Sequence, residues 1–511
     1  MSTATDLLVN NTHTLLVNDD DTFSVNDADM PALRNAIAKL ADAGYCETVI
    51  SKRLGLADLT ELQWRAVPVY RKVQLAVRDK LASAIDLFFL QSTIPMDELN
   101  QLFDENDRDL LVRAGLLSID EKGFVCARAS LFPVGNYLIF SDHAWPMLPN
   151  PGYAKVPYNQ VMFIGCDSRW LAHATIRHPV GAALDLCTGS GIHALLAAAH
   201  SERVCAVDIN PRAVRCARLN AQISEATNIT TLLGDLYEPV RGERFDLITA
   251  NPPFVPAPVN TIMFRDGGCS GEEVQRRIVA GLPEHLAPGG MAQIVTELGE
   301  REGESLSDRL RAWLNGAPMD IYILRLSVRS AADYAIGHSE GDTYGAFLSS
   351  VEEWTDNIRA QGYARIVSVL LAFQWSNPQL GPPWTSSEES LPPNKYVGAE
   401  MEEALKAESM ARNPKFPEIL GRCQIQRAPV GLTESRVLGV NLGLNVQAKL
   451  FGKSLSNIQR LEPIEREILL RLDTPMTFSE LIPKLNFGKD AILNAVTSLV
   501  RRKLILLTQN P

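Results

Sequence analysis

The chain has no run of about 18 apolar residues of the kind a membrane-crossing helix needs, no Cys-x-x-Cys pair among its eight cysteines, and no surplus of positive charge. The first absence speaks against a membrane partner. With no leader-like start legible either, the expectation is a cytoplasmic protein with reduced thiols. The second absence removes the common spacing of a structural zinc site, and no metal is expected. The third is quantitative. A formal net charge of −11 and a pI near 5.4 repel a phosphate backbone, so a nucleic-acid partner is left open only through a local basic patch and is not favoured by charge. The eight histidines are scattered. His193 and His200 stand nearest the motifs below, and they read as a packed residue and a helix-end residue, not as acid or base.

What is present is ample apolar material. At 511 residues and 46% hydrophobic content the chain can hold about three or four domains on a prior of roughly 150 residues each. Ala182 to Cys187 reads as a buried strand, Thr188-Gly189-Ser190-Gly191 as a turn, and Ile192 to Ala199 as an apolar helix. Glycines at such a turn let backbone N–H groups approach a ligand without a Cβ in the way. A second strand, Arg203 to Val207, ends in Asp208, a carboxylate suited to both hydroxyls of a ribose. A third, Ile229 to Leu233, leads to Gly234-Asp235, where Asp235 could accept an exocyclic amine. Gly189-x-Gly191-x-x-Ala194 with Asp208 also fits a dinucleotide fingerprint, so an NAD(P)-dependent Rossmann oxidoreductase is a rival reading. Asp185, four residues before Gly189, argues against it: a pyrophosphate would meet an unwanted negative charge there, whereas an ammonium and a sulfonium would meet a partner.

The fourth apolar run, Phe245 to Ala250, is followed by Asn251-Pro252-Pro253-Phe254. The Asn251 side-chain carbonyl and the Pro252 backbone carbonyl can each accept one N–H of a planar amide or amine, Phe254 offers a face for stacking, and two prolines stiffen the loop. Methyl transfer onto such a nitrogen asks for alignment and desolvation and needs no general base.

With these motifs the chain resembles the class I S-adenosylmethionine-dependent methyltransferases that carry the small-methyltransferase domain, similar to release-factor glutamine methyltransferases and amino-directed nucleic-acid methyltransferases. The resemblance runs through Leu184 to Gly191, Val207 to Ala213, Phe245 to Phe254, Arg265-Asp266-Gly267-Gly268, Gly271, Leu286 to Gly290 and Glu297-Leu298-Gly299. It implies a doubly wound seven-stranded sheet. It also implies S-adenosylmethionine held by Asp185, Cys187, Thr188, Gly189, Gly191, Asp208, Ile209, Asp235, Leu236 and Asn251. Catalysis falls to Asn251, Pro252 and Phe254, and substrate binding to Asn251, Pro253 and Phe254. Asp142 and Asp167-Ser168 would lie near the cofactor's carboxylate end or the substrate mouth. The substrate bears a planar amide or amino group on a protein glutamine, a nucleobase or a small molecule. Cys187 departs from the family's usual glycine, and Phe254 lacks the hydroxyl of the more frequent tyrosine. A non-catalytic scaffold with this fold is the remaining alternative.

The flanks read as helical. Residues 1–28 are expected to be flexible, 29–160 to form a winged-helix-like domain, 161–375 the methyltransferase domain, 376–450 a linker and accessory segment, and 451–511 a second winged-helix-like domain. Helices are expected over 30–44, 73–90, 96–103 and 107–114 with a strand at 124–127. The C-terminal flank repeats the order at 463–472, 478–485, 489–500 and 504–507. Beyond residue 450, nine Lys or Arg stand against six Asp or Glu, and Arg501-Arg502-Lys503 reads as a solvated basic face at a wing. The sixth and seventh strands are expected over 320–326 and 364–373, with a helix over 344–360 between them and Trp354 in the core. Ser376 to Lys395 reads as a surface loop, and 437–450 as strand-like.

Overall fold

A computed structural model describes residues 25–143, 158–436, 444–450 and 459–509. The expectation for residues 1–24, and part of those for 437–450 and 451–458, fall outside the described residues.

The centre is a doubly wound sheet. Its strands are β1 (Val180–Leu186), β2 (Ser201–Asp208), β3 (Ile229–Leu233), β4 (Phe245–Ala250), β5 (Leu286–Arg301), β6 (Met319–Ser330), β7 (Tyr363–Trp375) and β8 (Thr385–Glu389). The spatial order is β8-β6-β7-β5-β4-β1-β2-β3. Strands β1 to β5 run parallel, and β7 is antiparallel to both β5 and β6. The chain order reverses between β1 and β4, and the carboxyl ends of the strands at that switch point are where an open α/β sheet binds ligands. The central strands are buried on both faces, which is why Ala182 to Leu186 reads as a continuous apolar run and not as an alternation.

Seven strands were expected and eight are found. Thr385–Glu389, inside the segment expected to be a loop, pairs in parallel with β6. Its sequence, Thr-Ser-Ser-Glu-Glu, is that of a polar edge strand, and the preceding Trp384 anchors it. Trp384 is 5% exposed and its backbone N–H donates to Asp320 Oδ1 at 3.1 Å.

Helices α1 (Cys166–Ala174), α2 (Ile192–Ala198) and α3 (Pro211–Ile223) frame the switch point. Before them, helices at Met30–Asp42, Glu47–Leu54, Met96–Leu102 and Glu105–Arg113 surround a small sheet of Ile94–Pro95, Phe124–Ala127 and Leu117–Ile119. The helix expected over 73–90 is a correction. One helix ends at Val73, and a new one starts at Lys80, where Asp79 caps the N–H of Ala82 at 2.7 Å. The chain between is held by Arg53, which donates to the Gln74 and Val77 carbonyls.

At the other end α4 (Gly398–Arg412) leads to a separate core. There the helices Pro463–Arg471, Phe478–Leu481 and α5 (Lys489–Arg501) pack beside a sheet of Met476–Thr477, Cys423–Arg427 and Ile505–Gln509. The supposed accessory segment thus supplies a strand to this sheet as well as β8 to the central one. Among the described residues no helix is long and apolar enough to cross a membrane.

Candidate functional site

At the switch point lies a groove with about 960 Å³ of empty volume. Its floor is the turn after β1. Asp208, at the end of β2, accepts the Gly189 N–H and the Asn210 N–H at 2.9 Å each, one on either oxygen. Each oxygen keeps a lone pair for the groove, as a ribose diol requires. Gly189 has φ +55° and open space where a Cβ would stand, so the backbone faces the groove bare.

Of the residues expected around a cofactor, Cys187, Thr188, Gly189, Asp208, Ile209, Asp235, Leu236 and Asn251 line this groove. Two do not. Asp185 is 1% exposed and faces the sheet and α2, accepting Thr188 Oγ1 at 2.6 Å, Thr249 Oγ1 at 2.9 Å and the Ala194 N–H at 3.2 Å. Burial pushes its carboxyl up to about 7. It braces the turn and does not meet an ammonium or sulfonium directly. The charge argument that set Asp185 against a pyrophosphate weakens with it. Gly191 is the second correction. A Cβ there would stand 3.0 Å from the Ala217 Cβ of α3, so its glycine serves helix packing and not ligand approach.

Cys187 takes φ +55°, a left-handed conformation costing a non-glycine residue roughly 1–2 kcal/mol. That explains why a glycine suits the position. Burial, with Asp208 and Asp185 nearby, pushes its thiol well up, so the sulfur stays protonated. Asp235 is already bonded to Arg277 at 2.7 Å, and both line the groove.

The loop after β4 forms the opposite rim. The Asn251 amide nitrogen donates to Asp167 Oδ2 at 3.0 Å and Ser168 Oγ at 3.1 Å, both on α1. This fixes which way the amide faces and leaves its carbonyl oxygen as the free end. Burial pushes the Asp167 carboxyl up, while the bond from Asn251 acts in the opposite direction. Asp142 lies directly behind the groove, buried against Arg212 and accepting the N–H of the lining residue Val161 at 2.7 Å. Asn251 and Pro253 line the groove; Pro252 and Phe254 do not. Phe254 packs instead against the cluster of Val255, Tyr334 and Trp354, which corrects the expectation of a stacking plate inside the cavity.

The loop is fixed from behind by the Arg265 to Gly271 segment. The Arg265 carbonyl accepts the Phe254 and Val255 N–H groups at 3.2 and 2.9 Å. A Cβ on Gly267 would stand 2.7 Å from the Pro253 carbonyl oxygen, and one on Gly271 2.5 Å from that of Phe254. These two glycines are therefore steric requirements of the Asn-Pro-Pro-Phe loop.

Residues of the groove that the sequence did not disclose include Gln160, Met162, Ile164, His193, Met263 and Arg277. The segment over 160–164 has no periodicity to announce it, and His193 reads as an ordinary packed residue on an apolar helix. A second cavity of about 710 Å³ opens beside the first, walled by Trp64, Phe89 and Phe132 of the N-terminal region together with Phe163 and Asp167. No three His, Cys, Asp or Glu side chains gather as a metal site among the described residues.

Comparison with known proteins agrees with this geometry. A ribosomal protein uL3 glutamine methyltransferase from Bradyrhizobium diazoefficiens is 39% identical over 152 residues, 27% of this chain and 46% of that protein. A release factor glutamine methyltransferase from Moorella thermoacetica is 34% identical over 141 residues, 25% of this chain and 49% of that protein. A ribosomal protein uL3 glutamine methyltransferase from Bordetella pertussis is 31% identical over 170 residues, 30% of this chain and 56% of that protein. The chain thus spans about half the length of these relatives. The model of the methyltransferase small domain matches residues 166–313, a stretch that holds β1 to β5, the glycine turn and the Asn251 loop. This region is thus similar to the methyltransferase small domain, and methyltransferases of that fold use S-adenosylmethionine.

Proposed function

We propose that the protein is an S-adenosylmethionine-dependent N-methyltransferase acting on a planar amide or amino nitrogen. The observation that carries this reading is the orientation of Asn251. With its nitrogen tied to Asp167 and Ser168, it offers an acceptor at the rim of a groove that suits the donor. Asn251 Oδ1 would take an N–H of the substrate, biasing the nitrogen lone pair away from conjugation and toward the groove; Pro252, outside the lining, stiffens the loop that carries it. S-adenosylmethionine, when bound, supplies an electrophilic methyl group: the carbon–sulfur bond breaks as the carbon–nitrogen bond forms, and the proton shed by the nitrogen passes to water. The residues assigned to the donor are Cys187, Thr188, Gly189, Asp208, Ile209, Asp235 and Leu236. Asp185 and Gly191 act behind them.

Among the substrates this site admits, a protein glutamine is favoured, because the relatives are named for glutamine in a ribosomal protein or a release factor. A nucleobase or a small-molecule amine is the broader class. The oxidoreductase reading leaves Asn-Pro-Pro-Phe without a role. The test is transfer of a tritiated methyl group from the donor into a lysate separated into protein, nucleic acid and metabolites. Label is expected in the protein fraction, with Asn251→Ala slowing transfer by about 10²–10³-fold. Equal labelling by the variant would refute the role of Asn251, and label confined to the other fractions would refute glutamine.

A further inference from the structure

Two buried polar side chains in the groove have hydrogen-bonding atoms that the protein does not use. Gln160 is 3% exposed and His193 5%, and both line the cavity. The Gln160 amide nitrogen donates to the His143 carbonyl at 2.8 Å. A carbonyl accepts only from the N–H₂ end, so Oε1 is the free end, and it is buried without a partner. His193 meets no partner at either Nδ1 or Nε2. Burial lowers its ring to about 3, so it is neutral at ordinary pH, with one N–H donor and one bare acceptor. A buried polar atom left unpaired is destabilising, and two such residues in one cavity imply a ligand that pairs them.

The rest of the lining narrows which part of a ligand this is. Three charged side chains line the groove, Asp208, Asp235 and Arg277. Asp208 stands at the ribose position, while Asp235 and Arg277 are bonded to each other beyond it. His193 lies past the turn on α2, which packs on α1. From α1 Ser168 reaches Asn251 at the other end of the groove. Among the described residues no charged side chain lines that end of the groove itself; Asp167 stands behind Asn251 with Oδ2 taken by the Asn251 amide. A group with no net charge but a strong donor and a strong acceptor fits there, and the amino-acid end of the methyl donor, an ammonium beside a carboxylate, has that character.

We propose that Gln160 and His193 hold the amino-acid end of S-adenosylmethionine, Gln160 Oε1 accepting from the ammonium and the His193 N–H donating to the carboxylate. The assignment rests on the donor reading above. It replaces Asp185, which the fold turns away from the groove, as the recognition element for the ammonium.

The experiment compares two ligands on the full chain by calorimetry: S-adenosylhomocysteine, and 5′-methylthioadenosine, which keeps adenine, ribose and thioether but lacks the amino-acid end. Gln160→Leu and His193→Leu are each expected to weaken S-adenosylhomocysteine by about tenfold or more, the size of a hydrogen bond to a charged group, while 5′-methylthioadenosine changes by less than about twofold. His193→Asn, which keeps a donor, should recover part of the loss. The ligand-free His193→Leu protein should melt no lower than the wild type, because it removes unpaired polar atoms. Parallel weakening of both ligands, or no weakening of either, would overturn the assignment while leaving the donor site standing. Absence of S-adenosylhomocysteine binding in the wild type would remove the donor itself and the assignment with it. Should His193→Leu fail to fold, Gln160→Leu and His193→Asn decide the matter by the same comparison, since retained 5′-methylthioadenosine binding certifies an intact groove.

Discussion

The helical regions before and after the central sheet share an order of elements but join the sheet in different ways. The core of the N-terminal region runs without a break into the sheet body. Leu33, Phe88, Leu131 and Phe140 belong to one apolar cluster with Ile192 and Leu195 of α2 and Leu219 of α3. Buried polar contacts tie the same joint. Asn220 on α3 exchanges hydrogen bonds with the Phe140 backbone at 2.9 and 2.8 Å and donates to the Ser190 carbonyl of the glycine turn at 2.8 Å. Arg212 grips Asp142 through Nε at 2.9 Å and Nη2 at 2.6 Å. The C-terminal region has its own core and reaches the sheet through α4 and ion pairs: Glu408, 2% exposed, accepts from Ser386 at 2.7 Å, Arg412 at 2.9 Å and Arg501 at 3.1 Å. Lys503 meets Glu388 at 3.5 Å and Arg502 meets Glu465 at 2.7 Å. The basic run expected to be a solvated face is therefore matched by glutamates of this chain. The difference teaches that the N-terminal region is a wall of the binding site, whereas the C-terminal region is docked on the far edge of the sheet.

The strongest way to break that distinction is at the buried pair of the first joint. Asp142→Ala removes the carboxylate that pairs with the buried Arg212 guanidinium and should cost about 3–5 kcal/mol in denaturant unfolding, with donor binding weakened as α3 loosens beneath the groove. A loss under about 1 kcal/mol, the scale of a surface pair, would show the joint to be superficial. A smaller effect is expected at the second joint. Glu408→Gln keeps the shape and removes the charge shared by Arg412 and Arg501, and should cost about 2 kcal/mol, read in the C-terminal core alone, with S-adenosylhomocysteine affinity unchanged. If that affinity falls as it does for Asp142→Ala, the two regions are one cooperative body and the comparison fails.

The smallest effect sharpens the comparison through pH. The Asp185 carboxyl is raised from 3.8 to about 7 in the folded chain, so the folded state binds this proton more readily than the unfolded one. Its contribution to stability is fully present below 3.8 and is lost as pH rises through about 7. Asp185→Asn, permanently neutral, should come closest to the wild type near pH 4, gain on it as pH rises to about 7, and hold that gain above. The gain should appear in the transition of the sheet body and not in that of the C-terminal core. An equal difference at both pH values would show that Asp185 keeps an ordinary acidity beneath the turn.

Much of the candidate site is legible in the sequence because its requirements are local. A buried parallel strand needs a continuous apolar run, a backbone facing a ligand needs Gly189, and a rigid acceptor loop needs Asn251 with two prolines. Each leaves its mark within a few consecutive residues. The parts not legible depend on neighbours distant in the chain. Thr385–Glu389 has no apolar signature because an edge strand buries little, and only β6 makes it a strand. Phe254 carries the same ring whether it faces the cavity or Trp354. The break before Lys80 depends on Arg53 reaching across from another helix.

The amino-acid order by itself determined the doubly wound sheet, the glycine turn and the chemistry presented at the tip of β4, since these follow from side-chain type and short spacing. The tertiary structure decided which polar groups are spent and which are free. It turned Asp185 into a brace with all its bonds made, left Gln160 and His193 with bonds unmade, and pinned Asn251 by its nitrogen so that its oxygen is on offer. Hydrogen bonds are short and directional, and whether a donor finds its acceptor is settled by three-dimensional placement that no sequence interval encodes.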